Sequence, residues 1–267
     1  MGRSGVLGLS AAFVILFTVM LSATPQRRSE PVNARELIAD LDAADPVTRA
    51  KAACGLRDLG DAAADAMVPL TKLLADGSPV DARACSRRWW RGSSDAVTTP
   101  GEQAAAALAS VGSSAIPGLL GALKQDAWIA RRNAAWALGA IDDRRAVDPL
   151  IQALRDREPA VREQAAWALG AIDDSTAVQP LVGSLKDDDY RVRKQSAWAL
   201  GAIDDSRAVE PLVGALTDQQ ADVREQAAWA LGTLGDSRAL SGLIGALKDT
   251  SPGVRRQAAW ALGTIGR

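Results

Sequence analysis

Residues 164–174 read QAAWALGAIDD, and nearly the same words return at 195–205 as QSAWALGAIDD. They recur as NAAWALGAIDD at 133–143, QAAWALGTLGD at 226–236 and QAAWALGTIGR at 257–267. Trp136, Trp167, Trp198, Trp229 and Trp260 are therefore spaced by 31 residues without exception. Between them run AVDPLIQALRD at 146–156, AVQPLVGSLKD at 177–187, AVEPLVGALTD at 208–218 and ALSGLIGALKD at 239–249. A short period holding two helical patterns predicts a helical solenoid, in which each unit buries its apolar face only against its neighbours.

Each period divides into an A helix and a B helix. In the A pattern Val178, Leu181, Val182 and Leu185 fall at i, i+3, i+4 and i+7, one apolar face. Asp174 precedes it as an N-cap, and Pro180 falls within the first turns, where its missing N–H costs little. In the B pattern Val161, Ala165, Ala168, Leu169 and Ile172 cluster on one side at about 100° per residue. Ala166 and Gly170 leave room for a neighbouring helix to approach closely. Short polar turns make each A/B pair an antiparallel hairpin.

The string Asp…Val-Arg…Ala-Ala-x-Ala-Leu-Gly-x-Ile-x-Asp…Ala-Val-x-Pro-Leu resembles HEAT repeats, in particular the 31-residue type called PBS lyase HEAT-like repeats. The resemblance is strong over 102–267 and weaker over 34–80, where Asp45-Pro46-Val47-Thr48-Arg49 and Met67-Val68-Pro69-Leu70 carry it. It implies an all-α fold: a right-handed α-solenoid of about seven HEAT-like helical hairpins, an armadillo-type superhelix. B helices are expected at 46–59, 102–111, 128–141, 159–172, 190–203, 221–234 and 252–265. The solenoid occupies 31–267, with an insertion at 81–98 that breaks the period. Thr99-Pro100-Gly101-Glu102 restarts a helix with the spacing of a capping box.

The Trp column carries the first candidate site. Measured from Val161, Trp167 points roughly 240° around the B helix and Gln164 roughly 300°, both away from the apolar arc. The resemblance implies that B helices line the concave face. Trp136, Trp167, Trp198, Trp229 and Trp260 then form one row, and Asn133, Gln164, Gln195, Gln226 and Gln257 a second. As a ligand site this is an aromatic ladder with amide donors, suited to a protein or peptide segment or a glycan. As packing, each indole covers the Ala and Gly of the next B helix. Both readings stand at this level. The repeated Arg162, Arg193, Arg224 and Arg255, with Asp142, Asp173, Asp204 and Asp236, read as a polar ladder between repeats with helix caps, because a catalytic pair of carboxylates is not copied along a solenoid.

Inside the insertion, Arg87, Arg88, Trp89, Trp90 and Arg91 occur once in the chain. They read as an accessory docking loop, as a tuck against the first repeats, or as a membrane-surface contact. Cys54 and Cys85 are the only cysteines. An even count in an exported chain predicts a disulfide between them, the alternative being two buried thiols.

Export rests on residues 1–30. Residues 6–23 are an almost unbroken apolar run, closed by Arg27, Arg28 and Glu30, which reads as a signal peptide or an uncleaved signal anchor. The chain is expected to be secreted or periplasmic, or anchored to a membrane through this segment alone.

Composition narrows the chemistry. The chain has 267 residues, 31 Lys plus Arg, 32 Asp plus Glu and a net charge of −1, which argues against nucleic acid as a partner. It has no histidine, which removes Ser-His-Asp and Cys-His catalysis and His-ligated metals. Related HEAT-like families include bilin lyases and a di-iron hydroxylase. The hydroxylase's His-Glu metal ligands have no counterpart here, while no motif identifies or forbids a lyase. The reading that follows is a scaffold without catalytic residues, metal or cofactor that binds a protein or peptide in its groove. The alternative is a lyase-type enzyme or chaperone-like factor.

Overall fold

The computed structural model describes residues 33–85 and 97–265. The expected signal or anchor segment, 1–30, and loop residues 87–91 lie outside the described residues. Among the described residues the chain forms fourteen α-helices in seven A/B pairs. The A helices are α1 (Ala34–Asp40), α3 (Met67–Leu73), α5 (Ile116–Ala122), α7 (Val147–Ala153), α9 (Val178–Ser184), α11 (Val209–Ala215) and α13 (Leu240–Ala246). The B helices are α2 (Pro46–Leu59), α4 (Pro100–Val111), α6 (Trp128–Ile141), α8 (Pro159–Ile172), α10 (Tyr190–Ile203), α12 (Ala221–Leu234) and α14 (Pro252–Ile265). The expected B helices are all present, and α4 alone starts earlier, at Pro100.

Local chemistry sets these boundaries. Asp45 caps α2 by accepting from the N–H groups of Val47 and Thr48. Thr99 and Glu102 close a capping box on α4, as their spacing implies. The end of a B helix requires a left-handed residue, and Asp142, Asp173 and Asp204 supply it with φ of 57°, 54° and 53°. Asp tolerates that region better than most side chains, and Gly235 takes the same place in the next repeat. The second Asp of each pair turns the chain again: Asp174 accepts from the Thr176 N–H at 2.9 Å and caps a single 3-10 turn before α9.

The core is a continuous seam of Leu, Ala and Val. Leu138, Leu169, Leu200 and Leu231 of the B helices and Leu150, Leu181 and Leu212 of the A helices are fully buried. Consecutive B helices approach through small residues. A Cβ placed on Gly170 would lie 2.7 Å from Ala199 Cα, and one on Gly201 2.7 Å from Ala230 Cβ. Only glycine fits at that separation. Consecutive A helices touch much less. Tighter spacing in one layer curves a stack toward it, so the B helices line the inner side.

A second device joins the repeats at their A–B turns. Arg131, Arg162, Arg193 and Arg224 each make a forked contact with the carboxylate 25 residues later, in the next repeat: Asp156, Asp187, Asp218 and Asp249. Each also donates from Nη1 to a carbonyl of its own turn, as Arg162 does to Asp156 at 2.9 Å. One guanidinium thus clips two successive turns. Of the expected ladder, Arg162, Arg193 and Arg224 are in place, but their acidic partners are these turn residues; Arg255 has no carboxylate partner among the described residues, Asp142, Asp173 and Asp204 serve as helix ends, and Asp236 caps the turn before α13.

The insertion leaves the helical stack at a two-residue ladder. Strands β1 (Val80–Asp81) and β2 (Val97–Thr98) pair antiparallel, with Val80 opposite Thr98, so its two ends lie side by side. A disulfide joins Cys54 of α2 to Cys85, with a Cα–Cα distance of 5.9 Å.

Candidate functional site

The inner face is built from three positions one helical turn apart on each B helix. They share a face because residues four apart lie nearly above one another. On α6 they are Trp128, Arg132 and Trp136; on α8, Pro159, Glu163 and Trp167; on α10, Tyr190, Lys194 and Trp198. On α12 they are Ala221, Glu225 and Trp229, and on α14 Pro252, Arg256 and Trp260.

The Trp column is packed on one side and open on the other. Trp167 Cζ3 lies 2.9 Å from where a Cβ on Gly139 would stand, and Trp198 Cζ3 lies 2.8 Å from that point on Gly170. Trp229 covers Gly201 and Trp260 covers Gly232 in the same way. Each ring therefore seals the seam to the preceding repeat. Trp136 and Trp167 also stack on one another, with centroids 6.3 Å apart and planes 8° apart. Trp136, Trp167, Trp198 and Trp229 are nevertheless only half-buried, and Trp260 is 43% exposed. Among the described residues their indole N–H groups have no acceptor, and no buried side-chain nitrogen or oxygen lacks a partner. The four half-buried indole N–H groups hence reach solvent. Packing and an open polar edge coexist in the same residue.

The amide row divides. Gln164, Gln195, Gln226 and Gln257 are half-buried and make no side-chain hydrogen bond among the described residues. Their amides are open donors and acceptors beside the indoles. Asn133 departs from them. It is 2% exposed, donates to the Leu74 carbonyl at 2.9 Å, and accepts from Arg132 Nη2 at 3.0 Å. One methylene shorter than Gln, it stays at the backbone and closes the seam between the irregular second repeat and the third. Its amide is not available to a ligand.

The middle position carries a pattern that the conspicuous Trp column obscures in the sequence. Arg132, Glu163, Lys194, Glu225 and Arg256 alternate in sign, one per repeat, and Glu102, one residue out of register on α4, precedes them. Arg132 pairs with Glu102 at 2.6 Å, Glu225 with Arg256 at 3.1 Å, and Lys194 with Asp222 at 3.5 Å. Glu163, half-buried, makes neither ion pair nor hydrogen bond among the described residues. Burial pushes its carboxyl above the ordinary value, against the attraction of Arg191 and Lys194. Alternation at the 31-residue period is the signal that finds this column.

Chemically the face offers flat apolar surface, open N–H and amide groups, and near-neutral alternating charge. Among the described residues no group of three or more His, Cys, Asp or Glu is arranged to hold a metal ion. The loop residues Arg87, Arg88, Trp89, Trp90 and Arg91 fall outside the description.

The sequence model described as HEAT repeats matches residues 101–157, 147–231 and 209–267. Among solved structures, the chain is similar to a Kap121p mutant, with a TM-score of 0.66 at 14% identity, over 87% of this chain and 29% of that one. It is similar also to Kap95p in a structure with RanGDP, with a TM-score of 0.62 at 15% identity, over 86% of this chain and 37% of that one. The CpcE–CpcF complex of phycocyanin lyase from Nostoc sp. PCC7120 gives a TM-score of 0.49 at 22% identity, over 92% of this chain and 99% of that one. The chain spans about a third of the two Kap chains it resembles. No curated protein matches it in sequence.

Proposed function

The chain belongs to the HEAT-repeat family, and from that premise we propose that it is a non-enzymatic scaffold whose inner face binds an extended segment of a protein. The observation that carries this reading is the row of half-buried indoles with open N–H edges beside unpaired Gln amides. A polypeptide presents apolar side chains and a backbone rich in donors and acceptors, which matches that surface. The alternating charge column disfavours a polyanion, because each added phosphate would meet carboxylates as often as cations. Structures of proteins with this fold in complex with a protein, Kap95p with RanGDP and with Nup1, support the general mode. We further place the scaffold outside the cytoplasm, released or tethered by residues 1–30, on the strength of the apolar run at 6–23 and the cysteine pair.

The test is selection of phage-displayed random dodecapeptides on the full-length chain. The triple variant Gln164→Ala, Gln195→Ala, Gln226→Ala breaks no protein hydrogen bond, so its thermal midpoint should match the wild type. It should nonetheless bind the selected peptides at least about fivefold more weakly. Failure to select any peptide, or binding indifferent to the triple variant, would overturn the reading.

A further inference from the structure

Glu163 is the one member of the alternating column without an ionic partner among the described residues, and the surroundings explain why none of its neighbours serves. Arg132 on the preceding repeat is committed to Glu102 and Asn133. Arg191 on the following repeat is held by both oxygens of Asp189, and Lys194 turns to Asp222. The carboxylate is left half-buried, at the middle of the inner face, with the stacked indoles of Trp136 and Trp167 one turn further along.

The flanking surface is aromatic. Trp128 and Tyr190 occupy the first positions of α6 and α10, the helices on either side of α8, and are 38% and 42% exposed. On α8 the same position holds Pro159, which is smaller than either ring. The molecule shows within itself what such a surface holds: the Arg132 guanidinium lies 6.0 Å from the Trp128 ring centroid while it bonds to the Glu102 carboxylate. Two repeats further on, Tyr190 and Lys194 stand where Trp128 and Arg132 stand, but Lys194 is turned to Asp222 at 3.5 Å and makes no ion pair with Glu163.

We propose that Glu163, with Trp128 and Tyr190 beside it, forms a subsite for a single lysine or arginine side chain of the polypeptide bound in the groove. This rests on the groove reading and gives that ligand a required residue. A cation on a carboxylate between aromatic faces gains from both the charge pair and the ring quadrupoles. Burial raises the Glu163 carboxyl even though Arg191 and Lys194 attract it, since neither bonds to it.

The test uses dodecapeptides selected on the full-length wild-type chain. The sequences should share one Lys or Arg. Replacing that residue by norleucine in a synthetic peptide should weaken binding to the wild type about tenfold, and less than about twofold to the Glu163→Gln variant. Equal losses against both proteins, or selected peptides with no shared cation, would overturn the subsite while leaving the groove intact. A wild type that selects no peptide would remove the groove reading and the subsite together. Glu163→Gln keeps shape and half-exposure, and a thermal midpoint no lower than the wild type establishes that it folds.

Discussion

Arg162 in α8 donates from Nε and Nη2 to the two carboxylate oxygens of Asp187, at 2.7 and 2.6 Å, while its Nη1 reaches back to the Asp156 carbonyl at 2.9 Å. The pair joins two repeats through one planar group whose partners are all in place, with side chains only 15% and 11% exposed. Such a geometry favours Arg over Lys at this position, since an ammonium cannot fork across a carboxylate while holding a third acceptor.

Removing one partner of this clip should be costly, because the other is left poorly solvated. Arg162→Ala is expected to destabilise by about 2–4 kcal/mol in urea unfolding. Arg255 bonds only to the Asp249 and Thr250 carbonyls and has no carboxylate partner among the described residues. Arg255→Ala should therefore cost clearly less. Equal losses at the two positions would mean that the carboxylate contact contributes nothing.

Glycines in the two layers should respond in opposite directions to the same change. A Cβ on Gly170 would meet Ala199 and the Trp198 ring at 2.7–2.8 Å, so Gly170→Ala forces the B helices apart and should cost about 1–3 kcal/mol. Gly183, in α9, has nothing within 4 Å of its missing Cβ. There Gly183→Ala should stabilise by about 0.4–1 kcal/mol through the unfolded chain. Circular-dichroism melts of the two variants decide the point.

Acid should unfold the solenoid through its turns. Hydrogen bonds from Arg145, Arg191 and Arg207 hold Asp143, Asp189 and Asp205 down at about 2, below the ordinary carboxylate range. Burial pushes Asp156 and Asp218 up, but the bonds from Arg131 and Arg193 outweigh it and their carboxyls end up lowered. A lowered carboxyl contributes stability above its unfolded value, and that contribution disappears as pH falls through the folded value. The thermal midpoint should fall steeply between about pH 4 and pH 2. A midpoint constant over that interval would contradict the ladder.

Glu163 predicts the opposite sign. Its carboxyl is raised by burial, so the folded state prefers it neutral and its ionisation weakens the fold as pH rises. Glu163→Gln should raise the thermal midpoint slightly at pH 7, and the gain should vanish in acid, where both side chains are neutral. A destabilised variant at pH 7 would show instead that Glu163 is paired in the free protein.

The disulfide should stabilise the first repeats in particular. Closing a loop of 31 residues between Cys54 and Cys85 contributes about 3–4 kcal/mol in the chain-entropy picture. Reduction should lower the midpoint and make α2 the first helix to exchange its amides. Two free thiols in a non-reducing tryptic digest would remove the crosslink.

The period, the helix pairs, the caps and the spine of Leu and Ala were all legible in residues 133–267, because each depends on contacts within a few residues or on a pattern copied every 31. The hairpins followed from two apolar stripes separated by polar turns. What the residues left open was decided between repeats. QAAW could not reveal that the Cζ3 edge of its indole covers the glycine of the preceding repeat while the N–H reaches solvent, since that depends on how closely two B helices approach. Asn133 and Gln164 looked equivalent in the repeat, yet one turns inward to Leu74 and the other stays open. The choice of Asp187 over Asp173 as the partner of Arg162, and the absence of an ion pair or hydrogen bond for Glu163 among the described residues, likewise depend on the rotation of one hairpin against the next. Local sequence determines which side of a helix is apolar; the packing angle and rotamers of neighbouring repeats determine which polar groups meet, and therefore which remain free for something else to bind.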